Sequence, residues 1–199
     1  MLATGNVGKL KELQHAFTDI SIEIVAQPKD PQYDVEETGT TFVENAIIKA
    51  RHGAQLSGLP TIADDSGIIV PALQGEPGIR SARYAGEPSN ADRNIDLLLH
   101  RLRGIDQRTA YFYCALVYMR HAFDPAPLIA EAAWYGKIAN IRSGDQGFGY
   151  DPVFHPVDSE QTAAELAPAV KQKICHRGQA VDKLKILLQQ EINNTSCPN

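Results

Sequence analysis

Along the chain the spacing of apolar positions switches repeatedly between the period of a helix and that of a strand, with no long linker, low-complexity tract or internal repeat. Met1 to Ala3 read as a strand stub. The turn Thr4-Gly5-Asn6-Val7-Gly8 follows, then an amphipathic helix from Lys9 with Leu10, Leu13 and Phe17 at helical spacing. Ile22 to Ala26 predict a second strand. A polar loop holding Pro28, Pro31 and Gly39 leads to a helix with Thr40 or Thr41 as its N-cap. Glu44 is placed to close a capping box with Thr41, and the helix ends near Gly58.

Thr61 to Ala63 and Ile68 to Val70 predict two short buried strands, separated by the acidic turn Asp64-Asp65-Ser66-Gly67. After a Gly-, Pro- and Arg-rich loop from Gly75 to Gly86, Ile95, Leu98, Leu99 and Leu102 mark another helix. Tyr111 to Met119 and Leu128 to Ile138 predict a long antiparallel pair around Asp124-Pro125. A Gly-rich segment from Gly144 to Tyr150 precedes a final helix from Gly178 to Ile192, with Leu184, Leu187 and Leu188 on one face and a frayed tail beyond. The alternation predicts one α/β domain over residues 1–199: a mixed, twisted central sheet with flanking helices, in two lobes around a cleft.

Composition narrows the chemistry. The 199 residues are 43% hydrophobic and 22% charged, which is globular rather than disordered. The 19 Lys+Arg against 24 Asp+Glu leave a net charge of -5, so no cationic surplus exists to hold a nucleic-acid polymer, although a few cations placed together still suit a small phosphorylated ligand. No apolar run approaches the roughly 18 residues of a membrane span, and neither a secretory signal nor a lipidation motif is apparent. Cys114, Cys175 and Cys197 lack metal-ligand spacing, which points to a reducing cytoplasm and away from zinc.

Several constellations carry chemistry, each with a plainer reading beside it. Strand, Thr4 to Lys9, then helix aims backbone amides and a helix N-terminus at an anion, with Lys9 as a mobile charge; it also fits an ordinary glycine turn. It is not a Walker loop, because two residues separate Gly5 from Gly8 and no Ser or Thr follows Lys9. The acids Glu36, Glu37, Asp64 and Asp65 suit magnesium, which takes one or two carboxylates together with water and phosphate, and one of them can take a proton from water; they also suit turn capping. Gly147-Phe148-Gly149-Tyr150-Asp151-Pro152 sets a ring between glycines where a flat base can stack and Asp151 can accept an N–H, or forms a bulged strand entry. His176-Arg177-Gly178 opens the last helix with donors for a carbonyl or phosphate, or is a surface pair. Asn45 and Lys49, four apart, share one helix face.

In their order along the chain these motifs resemble one family, the Ham1-like inosine/xanthosine triphosphate pyrophosphatases. The resemblance is carried by Thr4-Gly5-Asn6 with Lys9, Glu36-Glu37-Thr38-Gly39, Phe42 with Glu44-Asn45-Ala46 and Lys49-Ala50, and Asp64-Asp65-Ser66-Gly67. Ser81-Ala82-Arg83-Tyr84, Gly147 to Pro152 with Phe154, Thr162 to Leu166 and His176-Arg177-Gly178 extend it over nearly the whole chain. It implies a magnesium-dependent homodimer that binds a nucleoside triphosphate in its cleft and splits dITP, ITP or XTP into monophosphate and pyrophosphate.

By the same resemblance Thr4, Gly5, Asn6, Val7, Gly8 and Lys9 form the triphosphate loop. Glu36 and Asp65 are magnesium ligands, Asp65 is also the base, and Glu37 and Asp64 are supporting acids. Ser66, Lys171, His176 and Arg177 contact substrate, and Phe148, Gly149, Tyr150 and Asp151 form the base pocket. A 6-oxo purine then pairs with donors that adenine's 6-amino group leaves unpaired. Only three residues precede Thr4, Arg80 stands where the family commonly has Tyr, and Cys175 where it commonly has Ser. Two other readings stand beside this one: a related pyrophosphatase acting on modified pyrimidines, and a sensor that binds nucleotide without hydrolysing it.

Overall fold

The computed structural model describes residues 1–5, 7–18 and 22–195, the side chains of Val7, Lys11, Asn194 and Thr195 excepted. Its regular elements are β1 (Leu2–Ala3), α1 (Val7–Ala16), α2 (Phe42–Ser57), β2 (Thr61–Ile69), α3 (Ala91–Arg101), β3 (Thr109–Met119), β4 (Leu128–Ile138), β5 (Phe154–Pro156), α4 (Pro168–Ile174) and α5 (His176–Thr195). The strands form one sheet in the order β1-β2-β3-β4-β5. β1 and β2 are parallel, while β4 and β5 are antiparallel with Lys137 opposite His155, so the sheet is mixed as expected. The amide of Ile138, ending β4, donates to the carbonyl of Arg108, just before β3, at 2.8 Å, the register of the expected antiparallel pair. Among the described residues no helix is long and apolar enough to cross a membrane.

The chain divides into two compact units. One comprises Met1–Asp65, Cys114–Ala132 and Arg177–Asn199; the other comprises Ser66–Tyr113 and Ala133–His176. In the first, Leu13 and Phe17 of α1 share a core with Ile62, Cys114, Leu184 and Leu188, so the apolar faces of α1 and α5 close over β2 and β3. The capping box of α2 forms as read: Glu44 N donates to the Thr41 hydroxyl at 3.2 Å, and Thr41 N to the Glu44 carboxylate at 2.9 Å. Gly58 ends that helix in the left-handed region at φ 66°.

The second unit packs Phe112, Trp134 and Phe154 together, with Phe112 and Phe154 centroids 4.8 Å apart and Trp134 and Phe154 5.1 Å apart. Gly136 makes room for this, since a Cβ there would lie 2.6 Å from the Phe154 ring. α3 begins at Asn90, whose side chain accepts from Arg93 N at 2.9 Å.

Four sequence expectations are corrected. Ile22 to Ala26 form no strand: Ala26 makes an isolated parallel bridge to Leu2, because the two-residue β1 offers too little edge for a ladder. The acidic turn does not exist; β2 runs unbroken from Thr61 to Ile69 through Asp64 and Asp65, whose charges are met by cations from other segments. α1 begins at Val7 rather than Lys9. Finally, α4 precedes the last helix, which runs from His176 to Thr195 rather than from Gly178 to Ile192; of the tail expected to fray, Asn193 to Asn199, residues 196–199 lie outside the described residues.

Candidate active site

Consecutive strand side chains point to opposite faces, and β2 uses this to give its two acids different partners. Asp64 is fully enclosed. Lys9, in the first turn of α1, pairs with its Oδ1, while Arg177 Nε and Cys114 Sγ reach its Oδ2 at 3.1 and 3.2 Å. Burial works to raise the Asp64 carboxyl, but the Lys9 ammonium and Arg177 guanidinium outweigh it and hold it well below the usual carboxylate range. Burial, reinforced by the Asp64 charge, pushes the Cys114 thiol well up, so it stays a protonated donor.

Asp65 sits in a second cluster. Lys49 Nζ, on α2, bridges it to Glu37, at 2.8 Å from both Asp65 Oδ1 and Glu37 Oε1. Burial pulls the Lys49 ammonium down, but the Asp65 and Glu37 charges outweigh it and raise it. Burial pushes the Asp65 carboxyl up, against the opposing pull of Lys49. Asp65 Oδ2 is buried and takes no hydrogen bond, an open acceptor beside a fixed cation. One turn earlier on α2, Asn45 Oδ1 accepts from Gly39 N at 2.8 Å, and Glu37 and Gly39 thereby tie the same segment to α2. Glu36, between the two ties and Val35, is exposed and makes no hydrogen bond or ion pair among the described residues.

Among the described residues no three His, Cys, Asp or Glu side chains gather to hold a metal unaided. Magnesium does not require that, because it keeps several waters and takes one or two carboxylates plus phosphate oxygens. The open Asp65 Oδ2 and the uncommitted Glu36 carboxylate are hard oxygen donors of that kind, so the residues fit the ion.

Of the N-terminal loop, Thr4 donates its amide to Leu2 O at 3.1 Å, and an added Cβ at Gly5 would meet nothing within 4 Å. Asn6 lies outside the described residues. Gly8 and Lys9 stand in the first turn of α1. Arg177 is 3% exposed, and besides Asp64 it pairs through Nη1 with Glu12 Oε2 at 2.6 Å. It is a buried clamp on α1.

The second unit holds the glycine-flanked segment. Asp151, 3% exposed, turns inward rather than outward: its Oδ2 accepts from Phe148 N at 2.8 Å and from Lys171 Nζ, on α4, at 2.5 Å. Gly147 adopts φ 78°, and a side chain there would run into that carboxylate. The Tyr150 hydroxyl donates to Ser81 O at 2.9 Å, and burial pushes its phenol up. Phe148, 40% exposed, presents its ring, with Lys171 Nζ 5.1 Å from the centroid. Ser66 is half-buried in β2. His176 lies flat on Phe112, centroids 4.8 Å apart and planes 7° from parallel, so the aromatic core fixes its ring.

Sequence reasoning missed Cys114, Glu12 and Ser81. Glu12 is three residues beyond Lys9 on one helical face, a spacing that pointed to shared partners. Ser81 entered only as part of the motif Ser81-Ala82-Arg83-Tyr84, and nothing local marked Cys114 as a partner of Asp64. Cys175 fills the second unit's core, its Sγ 3.9 Å from Gln172 O, and Arg80 is exposed.

Mixed sheet and flanking helices define an α/β protein whose β2 sets two adjacent carboxylates, Asp64 and Asp65, each against its own cation. The chain belongs to the Ham1 family, whose model matches residues 1–187. It is 51% identical over 190 residues to the dITP/XTP pyrophosphatase of Salmonella typhi, covering 94% of this chain and 95% of that one. It is 48% identical over 193 residues to the dITP/XTP pyrophosphatase of Vibrio cholerae serotype O1, covering 96% of each. The structure of a HAM1 protein from Coxiella burnetii superposes with a TM-score of 0.89 at 46% identity, covering 95% of this chain and 97% of that one.

Proposed function

We propose that this protein hydrolyses the deaminated purine nucleoside triphosphates dITP, ITP and XTP to the monophosphate and pyrophosphate. Relatives at about half identity over nearly their whole length carry the name dITP/XTP pyrophosphatase. The observation that carries the reading here is Asp65: one carboxylate oxygen is fixed by Lys49 and the other is buried and open.

Phosphoryl transfer depends on positioning and charge neutralisation. In this reading the first-turn amides of α1 and Lys9 receive the phosphates, and the Asp65 carboxylate takes the proton of the attacking water. That carboxylate is suited to the task, because burial leaves its anion less stabilised than in water. Magnesium would be held by Asp65 and Glu36, and when bound it neutralises phosphate charge and makes water more acidic. Glu37 and Lys49 hold Asp65 in place.

The base is assigned to Phe148, with Lys171 and Asp151 shaping the segment that carries the ring. Selection for a 6-oxo group is assigned to His176 and nearby amides, because two of the Arg177 donors already serve Asp64 and Glu12. A donor left unpaired by adenine costs about 1–3 kcal/mol, roughly ten- to a hundredfold in affinity. The homodimer and the cytoplasmic location belong to the same reading, and size-exclusion with light scattering measures the first.

The test is a nucleotide panel with product identification. With magnesium, dITP, ITP and XTP should yield monophosphate and pyrophosphate far faster than ATP, GTP or modified pyrimidine triphosphates. Orthophosphate as the product, or binding without turnover, contradicts the proposal.

A further inference from the structure

The reaction as assigned leaves one conspicuous acid without a role. Asp64 has a side chain with no exposed surface, and both its oxygens are engaged: Lys9 on Oδ1, Arg177 Nε and Cys114 Sγ on Oδ2. A carboxylate so enclosed has no opening through which to meet attacking water. A buried acid is costly unless paired. Here two cations and a thiol converge from α1, α5 and β3. Arg177 in turn grips Glu12, so α1 is pinned twice within its first two turns, at Lys9 through Asp64 and at Glu12 through Arg177.

What this arrangement controls is the Lys9 ammonium. A lysine carries its charge on a flexible four-carbon stem, and a catalytic charge is most effective when it is held in place before the substrate arrives. We propose that Asp64 is a positioning residue: it fixes Lys9 at the head of α1 for the substrate phosphates, and Arg177 and Cys114 fix the orientation of Asp64 itself. The proposal rests on the reading of Lys9 as a phosphate contact.

A double-mutant cycle on dITP turnover with magnesium, supported by thermal unfolding of each variant, tests it. Lys9→Ala should lower kcat by about 10²–10³-fold. Asp64→Asn keeps the shape and loses the charge; it should lower kcat by about tenfold or more in the native background, with a smaller change in KM, and should have no further effect when Lys9 is already Ala. Equal losses in both backgrounds mean that Asp64 acts independently of Lys9, and they overturn the proposal. Native turnover by Asp64→Asn alongside an impaired Lys9→Ala overturns the proposal while sparing the phosphate reading. Native turnover by Lys9→Ala removes that reading, and the proposal falls with it. Should Asp64→Asn not fold, Cys114→Ala removes only the thiol donor. It should lower kcat by about threefold in the native background and not in the Lys9→Ala background; an equal effect in both overturns the proposal.

Discussion

The amide of Gly39 donates to Asn45 Oδ1 at 2.8 Å, and that bond holds the Glu36–Glu37 segment against the start of α2. There is no room for a side chain at position 39, where a Cβ would lie 2.6 Å from Glu44 Cβ and 2.7 Å from Asn45 Oδ1. Gly39→Ala should therefore push the segment off α2 and loosen the Glu37–Lys49 pair. The expected cost is about 1–3 kcal/mol of stability, with a larger fall in kcat/KM for dITP than the folded fraction explains. Urea denaturation and initial rates measure the two.

Asp65→Asn keeps the volume and loses the base. Turnover of dITP should fall at least about hundredfold, while the melting temperature stays level or rises, because burial already disfavours the native carboxylate. A variant that turns over at the native rate would take the base role from Asp65.

Asp124 is 2% exposed; burial works to raise its carboxyl, but the amides of Arg120 and Ala126 and the Arg120 guanidinium outweigh burial and hold it below its ordinary value. A carboxyl lowered in the fold contributes stability above its unfolded value of about 3.9 and loses it as pH falls through the folded value. Asp124→Asn should thus cost about 1–3 kcal/mol at neutral pH and progressively less in acid below the ordinary carboxylate range. Denaturant midpoints of both proteins across that range check the convergence.

Phe148→Ala tests the base pocket. Stacking on a ring is worth about 1–3 kcal/mol per base, so KM for dITP should rise by roughly ten- to a hundredfold. Because the ring is 40% exposed, the melting temperature should barely move. An unchanged KM would assign the base elsewhere.

Much of the fold could be read locally. Thr41 and Glu44 announced the start of α2, and Leu10, Leu13 and Phe17 the buried face of α1, because caps and helical stripes are set by neighbours in sequence. β2 could not be read that way. Two aspartates, a serine and a glycine have the composition of a turn, and a buried strand tolerates them only because Lys9, Lys49 and Arg177 arrive from three other segments. The acid types were legible and their division between two cation sets was not, since facing depends on the strand's pleat. Asp151 was read as a ligand acceptor, but its inward bonds to Phe148 and Lys171 need the fold of the segment and the unpredicted α4.

The Lys171 ammonium lies over one side of the Phe148 ring. With a cation covering one side of the ring, a flat guest has only the other side to lie against, so its orientation is limited before it docks. An analogue with a bulky group projecting toward the ring should be refused whichever functional groups decorate its edge.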